Sequence, residues 1–318
     1  MGMNVLGYQT TIRTRIEFNG IGVHSGEPVS MTLLPAEANT GILFNVTCPR
    51  SGANRDIPAT IASIGATDLC TVLGDPGSVF IATIEHLMAA LRALNVDNVI
   101  IEVDSNEVPV LDGSSAEYVA AIEAAGLTSL AAPRCYIKVL KPVRVDMGAS
   151  WGEFVPHDGT RYEVEIDFDC PTIGRQSFCS DLTADVFSKE LSRARTFGFM
   201  KDVERLWAAG FALGSSLENS VVIGDDNRII NPEGLRYADE FVRHKTLDAV
   251  GDLALAGAPF LGCFRSYRGG HKLNSLVLKA LLSDRDAFEF VGAPQSQPRV
   301  RPAELVAMNA PAYAAVLI

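Results

Sequence analysis

Asp239-Glu-Phe-Val-Arg-His-Lys-Thr-Leu-Asp-Ala-Val-Gly-Asp-Leu-Ala-Leu255, then Pro259-Phe-Leu-Gly-Cys-Phe-Arg-Ser266, then His271-Lys-Leu-Asn-Ser-Leu-Val-Leu-Lys-Ala-Leu-Leu282, reads as a long helix, a strand and a second helix. The same order occurs earlier. Between residues 81 and 94, Ile84, Leu87, Met88, Leu91 and Leu94 fall at i, i+3, i+4, i+7 and i+10, an amphipathic helix. Asn98 to Val103 has strand composition, and Ser114 with Glu117 three residues on forms a capping-box pattern for a helix to about Ala125. Identity between 81–125 and 239–282 is slight, so the repeat is one of pattern. It points to two similar α+β halves, with any site between them drawing residues from both.

Outside these blocks, Thr11 to Phe18, Val29 to Leu34 and Gly41 to Val46 are β-rich runs separated by Gly, Pro and Asn. Leu127 to Pro133 is rich in small residues and ends on Pro, so the boundary is placed there: one domain over 1–128, a second over 134–292, and a Pro- and Ala-rich tail over 293–318. In the second domain, strands are expected at 136–145 and 160–168, where Tyr162, Val164, Ile166 and Phe168 alternate with polar neighbours. Helices are expected at 184–193 and 201–209.

The 318 residues are 47% hydrophobic and 20% charged, a globular balance that excludes a disordered or collagen-like chain. The formal charge of −11 argues against a nucleic-acid partner, and an anionic substrate needs a local basic patch. The longest apolar run, residues 253–264, is too short to span a bilayer, so no stable membrane insertion is expected. The opening Met-Gly-Met-Asn-Val-Leu carries no secretory pattern, and the six cysteines form no CxxC pair. The expectation is a cytoplasmic protein with reduced thiols.

Only five histidines are present. His244, Asp248 and Asp252 lie at i, i+4 and i+8, one face of a helix that could grip an ion, although a solvated His–Asp pair gives the same spacing. The helix is otherwise apolar around Asp248 and Asp252, so both carboxylates need partners. In Thr83-Ile-Glu-His-Leu87, Glu85 suits a helix start and His86 a satisfied core position; with His244 and Asp248, His86 also completes an N/N/O set of catalytic-zinc composition. Glu85 is then placed to take a proton from an activated water. Residues 253–282 lack acidic side chains but carry Arg265, Arg268, Lys272 and Lys279. Within them His271, after a Gly pair, is either an exposed cap or a general acid kept protonated by Asp252. Ser192-Arg-Ala-Arg-Thr-Phe-Gly-Phe-Met200 is either an apolar turn or a wall offering the Thr196 hydroxyl beside an aromatic surface.

Gly20-Ile-Gly-Val-His-Ser-Gly26, Thr83-Ile-Glu-His-Leu87, Pro109-Val-Leu-Asp-Gly-Ser114, Ser192 to Met200, Phe241-Val-Arg-His-Lys-Thr-Leu-Asp248 and Gly269-Gly-His271, in this order, resemble the zinc-dependent UDP-3-O-acyl-N-acetylglucosamine deacetylases of lipid A biosynthesis, the LpxC family, over nearly the whole chain. The resemblance implies two α+β domains, each a sheet packed on two helices, with the site at their interface. It implies Zn2+, with Fe2+ as the alternative, on His86, His244 and Asp248; Glu85 as base; His271 as acid, oriented by Asp252; and Thr196 on the oxyanion. Lys245, Phe197 and Gly198 would contact a UDP-linked acylated sugar, with an insert near 197–223 guiding the acyl chain. A monomer is expected. Asp68 stands where several relatives carry Met, and Ser150 where some carry Lys. Hydrolysis of another acyl amide, and a non-enzymatic nucleotide-sugar or lipid-binding module, are the competing expectations.

Overall fold

The computed structural model describes residues 7–49 and 51–292; the expected tail and the opening six residues lie outside them. The N-terminal part runs β1 (Tyr8–Ile12), β2 (Ile16–Ile21), β3 (Pro28–Pro35), β4 (Ile42–Thr47), β5 (Asn54–Pro58), β6 (Ile64–Ala66), β7 (Val72–Gly74), β8 (Phe80–Ile81), α1 (Glu85–Ala93), β9 (Val99–Val103), α2 (Ala116–Ala125) and β10 (Leu127–Pro133). It is followed by β11 (Tyr136–Val139), β12 (Val143–Met147), β13 (Ser150–Val155), β14 (Thr160–Asp167), β15 (Arg175–Asp181), α3 (Ala184–Val186), β16 (Phe197–Phe199), α4 (Met200–Ala208), β17 (Val221–Ile223), α5 (Glu240–Leu253), β18 (Phe260–Tyr267), α6 (His271–Ser283) and β19 (Phe288–Val291).

The pattern repeat of the sequence is a topological repeat. One sheet has the order β2-β3-β9-β4-β5, and the other contains β12-β13-β18-β14-β15. In both, the strand between the two helices is central, antiparallel to one neighbour (β3 or β13) and parallel to the other (β4 or β14). The second sheet adds β11 and β19: β18 pairs with β11 through Phe260 and Leu261 and with β14 beyond them. Alternation decides which faces are buried. Val29, Met31 and Leu33 of β3, and Tyr162, Val164 and Ile166 of β14, point inward, while their neighbours point out.

Helices α1 and α5 are buried almost all round, as expected for elements sandwiched between layers rather than lying on a surface. They pack on each other between the two sheets, and one apolar core runs through from Phe44 and Ile101 past Leu87 and Leu247 to Phe264 and Val277. At the crossing, a Cβ added to Gly251 would overlap the backbone carbonyl of Glu85, so the glycine is what lets the helices approach this closely.

Several local expectations are corrected. Residues 11–18 are not one strand: the chain turns at 13–15, and β1 leaves to pair with β10 in a separate two-stranded sheet. The segment 127–133, placed as a boundary, is therefore itself paired strand. The helix expected over 81–94 begins only at Glu85, because Thr83 has φ +60°, which a helix cannot accommodate. The Ser114–Glu117 box does not form; Ser114 Oγ instead accepts from Ala116 N and donates to Asp112. The helix expected over 184–193 is a single α-turn that widens into a π-turn over Phe187–Leu191. Phe197–Phe199, read as either a turn or a wall, is a short strand parallel to β17, and α4 between them has no buried residue. No helix among the described residues is long and apolar enough to cross a membrane.

Gly251→Ala is expected to destabilise the fold by about 1–3 kcal/mol through overpacking at the crossing, read as a lowered urea midpoint. An unchanged midpoint would show that α1 and α5 separate freely, against the close contact described.

Candidate active site

Helix geometry brings the first cluster together. His244 and Asp248, one turn apart on α5, face His86 in the first turn of α1, and their ligand atoms all lie within 4.8 Å of one another. His244 Nε2 is 3.3 Å and His86 Nε2 3.6 Å from the same oxygen, Asp248 Oδ1. The other ring nitrogen of His244 donates to the Ala194 carbonyl at 3.0 Å, which leaves the Nε2 lone pair facing the cluster. Burial pushes the His244 imidazole down to about 4, so it is neutral at physiological pH. Burial alone would raise Asp248, but His244 and Lys245 beside it hold its carboxyl well below the usual carboxylate range. Lys245 Nζ donates to Asp248 Oδ2 at 2.8 Å, whereas Oδ1 is buried without a hydrogen-bond partner. A neutral imidazole and an ionised, orphaned carboxylate oxygen are the donor set a divalent cation requires, so these residues fit a metal.

The second cluster lies alongside. Glu85, adjacent in sequence to His86, is buried; its Oε2 accepts from the Thr71 backbone N–H at 3.1 Å, and its Oε1 lies 3.8 Å from His271 Nε2. Burial raises the Glu85 carboxyl above its ordinary value, with His271 and His86 opposing. His271, the first residue of α6, donates from Nδ1 to Asp252 Oδ2 at 2.9 Å. Burial works against its charge, but Asp252 and Glu85 prevail and push it up to about 9. Asp252 is completed by the Asn274 amide at 2.8 Å and the Thr71 hydroxyl at 2.5 Å. Cys70, also buried here, is kept a thiol: burial and the Glu85 charge push it up to about 12, so no thiolate competes for a cation.

The wall of the site comes from residues 194–199. Arg195, 1% exposed, donates to Glu240 at 2.9 Å, to Glu233 at 2.6 Å and to the Gly234 carbonyl at 2.7 Å. That ion cluster locks the segment to the start of α5 and so aims the Ala194 carbonyl at His244. Thr196 is half-buried, its N–H on the Gly113 carbonyl and its carbonyl on Val221 N, each at 2.8 Å. Phe197 packs edge-on to Phe241 and lies 6.2 Å from the His244 ring, and no atom lies within 4 Å of where a Cβ on Gly198 would be. Lys245, expected at the substrate, directs its ammonium to Asp248. Asp68 is exposed on the bend before Thr71, and Ser150 opens β13, away from these contacts.

Sequence reasoning missed Thr71, Asn274, Glu240 and Glu107. Glu107 is buried and accepts from His24 N, from Ser25 and from the Thr83 hydroxyl at 2.8 Å, which holds the strained turn before α1. None of the four sits in a spacing that marks it, and the polar neighbours of Glu107 and Glu240 give no local signal.

A family profile described as LpxC, UDP-3-O-acyl N-acetylglycosamine deacetylase, matches residues 9–283. The chain is 60% identical over 288 residues to proteins named UDP-3-O-acyl-N-acetylglucosamine deacetylase from Brucella ovis and Brucella abortus, spanning 90% of this chain and 99% of each relative. The Brucella melitensis protein of that name matches to the same extent. The profile takes in every side chain of the two clusters, and on these matches the chain belongs to the UDP-3-O-acyl N-acetylglycosamine deacetylase family.

Proposed function

We propose that the protein hydrolyses the N-acetyl group of UDP-3-O-acyl-N-acetylglucosamine, giving UDP-3-O-acyl-glucosamine and acetate in lipid A biosynthesis. The carrying observation is the partnerless, buried Asp248 Oδ1 between two imidazole Nε2 atoms, with the Glu85–His271 pair alongside. His86, His244 and Asp248 would hold the metal, Zn2+ or Fe2+, since two imidazoles and one carboxylate suit either ion. Such an ion acidifies water and polarises a carbonyl.

The protein's own residues do the rest. Glu85, with its carboxyl raised by burial, takes the proton of the attacking water. The Thr196 hydroxyl donates to the developing oxyanion, held in place by its backbone bonds to Gly113 and Val221. His271, cationic up to about pH 9 beside Asp252, gives its proton to the departing amine nitrogen, which leaves poorly without one. Phe197 and Gly198 line the sugar side, and Lys245 contacts substrate once it turns from Asp248. Met200, Trp207, Phe211, Leu213 and Leu217, exposed along 200–217, would cover the acyl chain.

Two domains, over 1–128 and 134–292, are proposed from the repeated strand order, with the site between them. The protein is proposed to act in the cytoplasm, as a monomer and without a nucleic-acid partner, in keeping with its net charge of −11.

Glu85→Gln is expected to lower kcat by about 100- to 10,000-fold with metal still bound; near-normal turnover would remove the base assignment. Because His271 must be protonated, kcat/KM should fall as pH rises through about 9, and His271→Gln should abolish that limb as well as most activity. An unchanged limb in the variant would assign it elsewhere. Dialysis against a chelator should abolish turnover, with one equivalent of Zn2+ restoring it; undiminished hydrolysis by metal-free protein, verified by elemental analysis, would refute the metal assignment.

A further inference from the structure

Thr71 stands just before β7, well outside α5 and α6, yet it touches both Glu85 and Asp252, the carboxylate that holds His271. Its N–H donates to Glu85 Oε2 at 3.1 Å, and its hydroxyl donates to Asp252 Oδ1 at 2.5 Å. Its carbonyl accepts from Ile84 N, at the entry to α1, at 3.5 Å. The contacts close a circuit: from Thr71 to Glu85, across to His271 Nε2, through the ring to Asp252, and back to the Thr71 hydroxyl. Thr71 is 1% exposed, and a buried β-branched side chain has little rotameric freedom, so the separation of its N–H and Oγ1 is a rigid gauge.

We infer that Thr71 is a positioning residue that fixes the Glu85 carboxylate and the Asp252–His271 pair in one register, so that the base and the acid address the same substrate atoms. The inference rests on the roles proposed above for Glu85 and His271. Without the hydroxyl, Asp252 keeps Asn274 on Oδ2 and His271 Nδ1 at 2.9 Å from Oδ2 and 3.2 Å from Oδ1, but Oδ1 loses its shortest bond and the carboxylate is held less firmly. The imidazole then turns with it, away from the line through Glu85. Substrate binding and the metal ligands make no use of this bond, so the loss should fall on kcat.

The test uses the full-length, metal-loaded enzyme and the UDP-linked substrate. Thr71→Val, which keeps shape and the backbone N–H, should lower kcat by about 10- to 100-fold with KM and metal content unchanged. Thr71→Ser, which restores the hydroxyl, should recover kcat to within about threefold of wild type. In a His271→Ala background, Thr71→Val should cost less than about threefold, because the group it positions is gone. If the valine variant is recovered unfolded, Thr71→Ala serves as the hydroxyl-free arm. Independent, multiplying losses in the double variant, a failure of serine to rescue, or an effect on KM alone would each overturn the inference. Wild-type turnover in His271→Ala by itself would instead sink the acid assignment, and the positioning role with it.

Discussion

Two helix backbones meet without a side chain between them, and the site exists because of that contact. At Gly251 the α5 backbone lies against the carbonyl of Glu85. His244 and Asp248 stand on the preceding turns of the same helix, Asp252 is the next residue, and His86 follows Glu85 on the other. A few tenths of an ångström added at the crossing would be passed directly to the distances between imidazoles and carboxylate, because packed interiors transmit strain rather than absorb it. The remaining supports serve the same end from outside: Arg195 and Glu240 fix the segment whose carbonyl orients His244, and Glu107 fixes the turn from which α1 starts.

The environment then sorts chemically identical side chains. His244 is pushed down to about 4 by burial, while His271, half-buried, is pushed up to about 9 because two carboxylates face it. One imidazole is therefore a lone-pair donor and the other a proton donor at the same pH. Lys245 has a comparable effect on Asp248, occupying Oδ2 and leaving Oδ1 as the oxygen that faces the histidines.

Much of this was legible before the coordinates. The helix–strand–helix repeat pointed to two similar α+β halves, and the two sheets share a strand order. The i, i+4 spacing put His244 beside Asp248, and the apolar surroundings of Asp248 and Asp252 required both to find partners. Periodicity is blind to what the chain does between elements. The positive φ of Thr83 shortened α1, the turn at 13–15 split a run of β-formers, and the bonds of Thr71 join residues 181 positions apart in sequence. Arg195 lay in a stretch read only as a turn or a wall, and nothing local named Glu240 as its counterion.

The shared apolar interior carries a further consequence. The two sheets repeat one design, yet neither owns a finished hydrophobic interior, because the α1–α5 seam belongs to both. Separated after β10, each piece would present a naked helix face to water and would aggregate or seek the other. Melting should accordingly be all-or-none, a single endotherm rather than two, whatever the ancestry of the repeat.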